Sequence, residues 1–250
     1  MDTFLKQSTG RAADWERCGL EWLAEAESEG GVRICRVLDV GPRGLALERI
    51  SESSPSPAQA EDFGRALAHT HAAGAPAFGA GPSGWEGDGY QGPATDQLPL
   101  PLGSWPRWGA FFAEARLEPL VRRMDCSERD RETFSRLCSR LSDGTYDDDA
   151  APARLHGDLW AGNVLWSREG AVLIDPTPYG GHPEDDLAAL AMFGASHLER
   201  ILGGYQEVTP LADGWEQRVE LHQLHLMLLH AVLFGGGYTD RAVAMASRYV

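Results

Sequence analysis

The sequence predicts an α+β fold made of a small N-terminal part and a larger, mainly helical C-terminal part. Three observations predict it. Short runs of strand-forming residues flank one helical segment within the first 51 residues. The polar, proline-containing stretch at 51–57 has the composition of a linker. Beyond it, helical periodicity dominates and is interrupted by a strand, a loop and a strand at 154–176. We therefore predict a small lobe at 1–51 and a large lobe at 52–250.

The small lobe is predicted to run strand, helix, strand, strand. Residues 3–8 have an extended pattern, and apolar residues at roughly helical spacing predict a helix from Ala12 to about Ser28. Two strands are predicted over 32–38 and 44–50, because a Gly-Pro turn separates two runs of apolar residues.

The large lobe is predicted to be mainly helical. A Gly- and Pro-rich stretch at 74–104 has no periodicity, which predicts a lid, a binding loop or a disordered segment. Asp147–Asp149 are interpreted as a solvated acidic turn, with a cation site as the alternative. His222 and His225 lie three positions apart, but no third ligand or catalytic Glu follows as a zinc motif requires, so we interpret them as core or groove histidines. Helices are predicted at 58–73, 105–124, 128–141, 196–208, 215–234 and 241–249.

Three polar residues in the strand, loop and strand segment carry the clearest chemistry. Asp158 is followed five positions later by Asn163, and Asp175 ends the apolar run 171–174. This is the layout of a kinase-type phosphoryl-transfer site. Asp158 can orient a substrate hydroxyl and accept its proton, and Asn163 and Asp175 offer the hard oxygen ligands that Mg²⁺ prefers. Each residue alone is equally typical of a turn or a cap, so the interpretation depends on their spacing.

The order of elements in the small lobe matches the second half of a kinase small lobe. In that layout Lys6 would bind the nucleotide phosphates and Glu16 would pair with Lys6. The backbone of Glu48, Arg49 and Ile50 would receive the adenine. A lone Lys or Glu is more often a solvated surface residue, so these roles depend on the motif around Asp158.

Composition argues against several classes of protein. The hydrophobic fraction of 43% and the charged fraction of 24% are ordinary for a globular protein. The formal net charge of −15 argues against nucleic acid or an anionic membrane as partner, because both require a basic surface. The cysteines have no paired short spacing, which argues against a zinc site or a disulfide framework. The N-terminus has no apolar signal segment and the run 226–234 is too short to span a bilayer, so we expect a cytoplasmic protein.

The segments HGDLWAGN, IDPTPYGGHPEDDLA and LHQLHLMLLHAVLFGGGY together resemble the fructosamine kinase family, the ketosamine 3-kinases related to aminoglycoside and choline kinases. Trp160 and Pro176 distinguish the pattern from that of the aminoglycoside kinases. The resemblance covers nearly the whole chain, because FLKQS, LALERI and ALAHTH also fall in family order.

The resemblance implies a protein-kinase-like, two-lobed fold that transfers the ATP γ-phosphate, with Mg²⁺, to the 3-hydroxyl of a ketosamine. The substrate would be a fructosamine or ribulosamine adduct of a small amine or of a protein lysine, and the unstable product would free the amine. The implied roles are catalytic base for Asp158, magnesium ligands for Asn163 and Asp175, phosphate anchors for Lys6 and Glu16, a sugar platform for Trp160, and support of the catalytic loop for His156 and Asp186.

The sequence departs from the family pattern at its N-terminus. Family members carry two further strands and a glycine-rich loop before the strand of Lys6, whereas five residues stand there in this sequence. The resemblance therefore implies a truncated small lobe, either because the chain starts late or because the protein has lost that part. Two alternatives stay open: a kinase for another small-molecule hydroxyl, and a weakly active pseudokinase that serves as a binding module. The sequence does not indicate the oligomeric state.

Overall fold

The structure, a computed structural model, describes residues 2–250. Its N-terminal elements are β1 (Thr3–Lys6), α1 (Gly10–Ala24), a 3₁₀ turn (Glu25–Glu29), β2 (Arg33–Ile34), β3 (Val37–Gly41) and β4 (Gly44–Glu48). Strands β1, β4 and β3 form an antiparallel sheet in that order, which places Lys6 opposite Leu45. The predicted first strand and helix are therefore present, and three short strands follow them where two were predicted.

The single strand predicted over 32–38 is wrong, because the chain changes sheets within it. β2 pairs in parallel with β9 (Gly170–Leu173), and the backbone N–H of Cys35 donates to the Leu173 carbonyl. Only from Val37 onward does the chain join β4 in the first sheet. A strand from the predicted small lobe thus belongs to a sheet of the predicted large lobe; the boundary after residue 51 stays a prediction.

The remaining helices lie mostly where periodicity places them. They are α2 (Pro57–Ala72), α3 (Trp108–Phe111), a π-helical segment (Phe112–Leu117), α4 (Glu118–Val121), α5 (Glu128–Ser142), α6 (Pro183–Met192), α7 (Leu198–Val208), α8 (Trp215–His222), α9 (Leu224–Phe234) and α10 (Gly237–Ala246). The helix predicted over 105–124 begins late because Trp105 is bridged to Phe78. The helix predicted over 215–234 is divided at Gln223, whose backbone stays right-handed helical.

The stretch at 74–104 is ordered rather than structureless. It contains the antiparallel hairpin of β5 (Gly89–Gln91) and β6 (Leu98–Leu100). Tertiary hydrogen bonds fix its base, since the Gly79 N–H donates to the Gly180 carbonyl at 2.7 Å. Such contacts with distant residues leave no periodic signal in the sequence.

Helices α2 and α7 approach each other closely at two glycines. A Cβ at Gly64 would lie 2.0 Å from the Ile201 carbonyl oxygen, and one at Gly204 would lie 2.1 Å from that of Glu61. The capping box of Ser56 and Gln59 begins α2 and contributes about 1 kcal/mol to its stability. No helix among residues 2–250 has the length and apolar character needed to cross a membrane.

Four short strands position the residues that the sequence singles out. They are β7 (Ala153–Leu155), β8 (Val164–Ser167), β9 and β10 (Tyr179–Gly181). β8 and β9 form a hairpin, and β7 pairs with β10. The loop from β7 to β8 therefore carries Asp158 and Asn163, and the loop after β9 carries Asp175 beside them.

Candidate active site

Asp158 and Asn163 are joined within the loop between β7 and β8. A 3₁₀ turn at Ala161–Asn163 directs the Asn163 side chain back, so its Nδ2 donates to the Asp158 carbonyl at 2.8 Å and to Asp158 Oδ2 at 3.1 Å. Burial raises the pKa of the Asp158 carboxyl above its ordinary value, although His156 and Asn163 oppose the shift. A carboxylate with a raised pKa, fixed by an amide, is suited to accept a proton.

Asp186, at the start of α6, holds the backbone of this loop. Its Oδ2 accepts from the His156 N–H at 2.8 Å and its Oδ1 from the Gly157 N–H at 2.9 Å. His71 Nε2 donates to Oδ2 at 3.2 Å. Burial alone would raise the pKa of Asp186, but the hydrogen bonds from His71 and from the loop lower it below its ordinary value. Asp186 is therefore a buried, ionised acceptor beneath the loop.

The loop also makes contact with the strand that precedes Asp175. His156 Nε2 donates to the Ile174 carbonyl at 2.8 Å, and His156 Nδ1 accepts from the Asp158 N–H at 3.3 Å. Gly157 has φ +81° and a Cβ there would lie 1.9 Å from the Thr177 carbonyl oxygen. Only glycine fits this turn. His156 thus lies where a residue supporting the loop is expected.

Lys6 lies between two carboxylates. Its Nζ is 2.9 Å from Glu16 Oε1 on α1 and 2.8 Å from Asp175 Oδ1. Burial alone would lower the pKa of Lys6, but the two carboxylates raise it above its ordinary value. Burial raises the pKa of Glu16 despite the opposing charge of Lys6. The structure thus brings together Lys6 and Glu16, as the kinase layout requires.

Asp175 adopts a strained backbone conformation. Its φ of +54° lies in the left-handed region, which costs a residue with a Cβ about 1 kcal/mol. The side chain is 41% exposed, and its Oδ2 accepts no hydrogen bond from the described residues. Asn163 Oδ1 likewise accepts no hydrogen bond from the described residues, since the side-chain hydrogen bonds of Asn163 all come from Nδ2. Two free hard oxygens on adjoining loops fit Mg²⁺.

A cavity of about 560 Å³ opens in front of these side chains. Its lining includes Lys6, Glu16, Asp158, Asn163 and Asp175. A contiguous group of rings, here called the aromatic rim, lines it too, with Trp160, Phe193, His230 and Phe234 at successive centroid distances of 6.2, 5.3 and 5.6 Å. Trp160 is 40% exposed, so it is not a core residue behind the loop.

Within residues 2–250, the lining of this cavity does not include Glu48, Arg49 or Ile50. The Glu48 carboxylate is buried and accepts from Arg33 at 2.8 Å and from the Arg36 N–H at 3.0 Å. The Arg49 N–H donates to the Asp2 carbonyl. The Glu48 side chain therefore joins β4 to β2 and to the residues between β2 and β3. Adenine binding by the backbone of 48–50 stays a prediction.

Sequence reasoning gave no role to several residues at the site. His71 supports Asp186 and is itself in contact with the Tyr205 hydroxyl at 2.9 Å. Phe193 and Phe234 belong to the aromatic rim although they are 44% and 63% exposed. The feature that marks these two phenylalanines is the exposure of a large aromatic side chain. That exposure can be read from the fold and not from the sequence.

A second buried cluster involves the other two carboxylates of the first turn of α6. His222 Nδ1 is 2.6 Å from Asp185 Oδ1, and its Nε2 is 3.2 Å from Glu184 Oε2. Burial alone would lower the pKa of His222, but these two carboxylates raise it to about 9. Arg218 also binds Glu184, so cations of the protein already neutralise this carboxylate. The interpretation of His222 as a core histidine agrees with these contacts.

The acidic turn predicted at 147–149 is not simply solvated. Asp148 accepts from His182 Nε2 at 3.1 Å, and that bond lowers the pKa of its carboxyl well below the ordinary value. Asp147 Oδ1 accepts from the Gly109 N–H at 2.7 Å at the start of the α3 segment. Both carboxylates hold elements of the fold together.

The family model described as fructosamine kinase matches residues 4–250. A protein of Enterococcus faecium named "Probable ketoamine kinase" is 31% identical over 189 residues, which cover 74% of this chain and 65% of that protein. Mouse ketosamine-3-kinase is 35% identical over 141 residues, which cover 55% of this chain and 45% of that protein. The matches thus span less than two thirds of these two relatives.

Solved structures are similar to this chain in fold. A crystal structure from Thermobifida fusca, provisionally described as a fructosamine-3-kinase, has a TM-score of 0.83 at 42% identity and covers 93% of this chain and 78% of its own. A choline kinase from Streptococcus pneumoniae has a TM-score of 0.60 at 17% identity, covering 99% of this chain and 86% of its own, which shows the fold alone. These likenesses confirm the predicted protein-kinase-like α+β fold.

Proposed function

Because the chain belongs to the fructosamine kinase family, we propose that it transfers the γ-phosphate of ATP to the 3-hydroxyl of a ketosamine. One observation carries the proposal. Lys6, Asp158, Asn163 and Asp175, which come from separate segments of the chain, line one cavity together with exposed aromatic rings. Phosphoryl transfer depends mainly on positioning and on charge stabilisation, and this set of groups can supply both.

Asp158 is the proposed catalytic base. Its Oδ2 is held by Asn163, whereas its Oδ1 accepts no hydrogen bond from residues 2–250 and is available to a substrate hydroxyl. The hydroxyl oxygen forms a bond to the γ-phosphorus as the bond from that phosphorus to the ADP oxygen breaks. The hydroxyl proton passes to Asp158, and ADP leaves with the electron pair of the broken bond.

Lys6 is the proposed phosphate anchor. Its ammonium group is oriented by Glu16, and its contact with Asp175 can give way to a nucleotide phosphate that bears more negative charge. Asn163 and Asp175 would hold Mg²⁺, which when bound neutralises charge on the β- and γ-phosphates. The backbone of Glu48, Arg49 and Ile50 is the proposed contact for adenine.

The aromatic rim is the proposed site for the acceptor. Trp160 follows Asp158 by two positions and presents an exposed ring on which a sugar can stack. The secondary amine of a ketosamine is cationic, and exposed rings favour cations by about 0.5–1 kcal/mol. The proposed substrates are fructosamine or ribulosamine adducts of free amines and of protein lysines, phosphorylated in the cytoplasm. Breakdown of the 3-phosphate would release the unmodified amine and so repair glycation.

A substrate panel tests this proposal. Purified protein with Mg-ATP is offered Nε-fructosyl-lysine, Nε-ribulosyl-lysine, choline and an aminoglycoside, and products are identified by ³¹P and ¹³C NMR. We expect phosphate on carbon 3 of a ketosamine, followed by release of lysine. Preference for choline or the aminoglycoside would assign another hydroxyl kinase. Nucleotide binding without transfer to any acceptor would assign a pseudokinase.

A further inference from the structure

The β5–β6 hairpin connects the acceptor side of the cavity with α1. Residues of the hairpin and of its turn line the cavity, including Tyr90, Gln91, Pro93 and Gln97. The backbone of the same hairpin also packs on the helix that carries Glu16. One short element therefore contacts both the space proposed for the acceptor and the helix whose Glu16 pairs with Lys6, the proposed phosphate anchor.

Trp15 is the centre of the contact between hairpin and helix. It is 3% exposed, and its indole Nε1 donates to the Tyr90 carbonyl at 3.0 Å. A Cβ at Gly89 would lie 2.5 Å from the Trp15 ring, so the backbone of β5 lies directly on the indole. The Trp85 ring also packs on this indole, and the centroids of the two rings lie 5.1 Å apart.

Arg11 adds a second contact one turn earlier on α1. Its guanidinium lies 4.7 Å from the centroid of the Trp85 ring, and its Nη2 donates to the Glu86 carbonyl at 2.8 Å. The far end of the hairpin is attached to α9, because Gln91 Oε1 accepts from His225 Nε2 at 2.8 Å. The hairpin thus bridges α1 and α9.

Trp15 and Glu16 are neighbours in α1 and point about 100° apart around its axis. Trp15 faces the hairpin, and Glu16 faces Lys6 at 2.9 Å. A displacement of the hairpin that moves the indole must also move the helix turn that carries Glu16, because close-packed groups transmit such shifts.

We propose that Trp15 is a positioning residue that couples acceptor binding at the β5–β6 hairpin to the Lys6–Glu16 pair. This inference rests on the proposed function. An acceptor that orders the hairpin fixes Trp15 and with it the anchor for the nucleotide phosphates. By linkage, the nucleotide must strengthen acceptor binding by the same factor, and couplings of this kind commonly amount to about 5-fold to 150-fold.

Calorimetry measures this factor. The affinity for a non-hydrolysable Mg-ATP analogue is determined with and without Nε-fructosyl-lysine in three proteins: wild type, Trp15→Phe and Arg17→Ala. Arg17 is a matched control, because it lies on the same helix and pairs with Glu21 on the surface. We expect a gain of about fivefold or more in wild type and Arg17→Ala. In Trp15→Phe the gain falls to about onefold, because the phenyl ring lacks the N–H group that ties the indole to the Tyr90 carbonyl. A gain that survives in Trp15→Phe, or a parallel loss of both affinities, would overturn the proposal.

Hydrogen exchange of backbone amides measures the same coupling when no acceptor is present. The nucleotide analogue should slow exchange of amides in residues 85–100 in wild type and in Arg17→Ala, and not in Trp15→Phe. Nucleotide binding without any effect on the hairpin would contradict the coupling and leave the proposed kinase function intact. Protection of the hairpin in a protein that phosphorylates no ketosamine would contradict the proposed function alone.

Discussion

Lys6 Nζ and Asp175 Oδ1 lie 2.8 Å apart, although 169 positions separate the two residues in the chain. The contact joins the first strand of the small sheet to the loop after β9. It places the proposed phosphate anchor against a proposed magnesium ligand, so both groups are available to one nucleotide.

Removal of the Lys6 charge should disable the site. In Lys6→Met, Glu16 and Asp175 lose their shared cation, and the nucleotide phosphates lose their anchor. We expect kcat to fall about 100-fold or more and KM for ATP to rise, because charge stabilisation dominates phosphoryl transfer. Arg17→Met, a change of a half-buried residue of α1 that does not line the cavity, is the control and should retain wild-type kinetics. Equal rates for Lys6→Met and the control would contradict the role of Lys6.

Asp186→Asn should weaken both the fold and the catalytic loop. The amide cannot accept from the His156 and Gly157 N–H groups and from His71 together, as the carboxylate does. We expect a loss of about 2–4 kcal/mol in urea unfolding at pH 7 and a lower kcat with little change in nucleotide affinity.

The same carboxylate predicts a dependence of stability on pH. The pKa of Asp186 is lowered in the folded state, so its contribution is complete above the ordinary carboxyl pKa and is lost as the pH falls through the lowered value. The stability difference between wild type and Asp186→Asn should therefore be constant near neutral pH and shrink in acid. Asp62→Asn, an exposed change on α2, should show neither effect.

Two adjacent glycines of α7 provide a matched pair of variants. A Cβ at Gly204 would lie 2.1 Å from the Glu61 carbonyl oxygen, whereas one at Gly203 would meet nothing within 4 Å. Gly204→Ala should destabilise the protein by about 1–3 kcal/mol through overpacking. Gly203→Ala should stabilise it by about 0.5–1 kcal/mol, because alanine is the better helix former. Equal midpoints in thermal unfolding would contradict the close approach of α2 and α7.

His222 should make stability decline as the pH becomes alkaline. Its pKa is about 9 in the folded state and about 6.5 when unfolded, so its contribution is complete below about 6.5 and is lost as the pH rises through about 9. The stability difference between wild type and His222→Gln should shrink over this range by at most about 3 kcal/mol.

Comparison with His222→Gln is necessary because other groups titrate in the same range. Burial raises the pKa values of the Cys35 and Cys138 thiols to about 12, so ionisation of these thiols in the unfolded chain also lowers stability above pH 9. Urea unfolding at several pH values measures both proteins, and a difference that does not change with pH would contradict a charged His222.

The parts of the site that are close in sequence could be predicted from it. Asp158, Asn163 and Asp175 belong to two adjacent loops, and their spacing reflects the strands between them. Lys6 and Glu16 could be proposed only through the order of elements in the small lobe. Their contact with Asp175 is a property of the tertiary structure.

The features that could not be predicted depend on distant partners. The switch of β2 to the sheet of β9, the support of Asp186 by His71 and the β5–β6 hairpin are all fixed by residues far along the chain. No local periodicity records such contacts. Trp15 illustrates this limit. Helical spacing places it on the buried face of α1 but does not show that it contacts the hairpin.

Transfer of labelled γ-phosphate from ATP to Nε-fructosyl-lysine by wild type and by Asp158→Asn is the most direct measurement of the proposed activity. Wild type should form the 3-phosphate. Asp158→Asn should retain both KM values and lose about 100-fold to 10,000-fold in kcat, because it lacks the group that accepts the hydroxyl proton. Equal turnover by the two proteins, or no transfer by wild type under conditions where it binds Mg-ATP, would contradict a ketosamine kinase that uses Asp158 as its base.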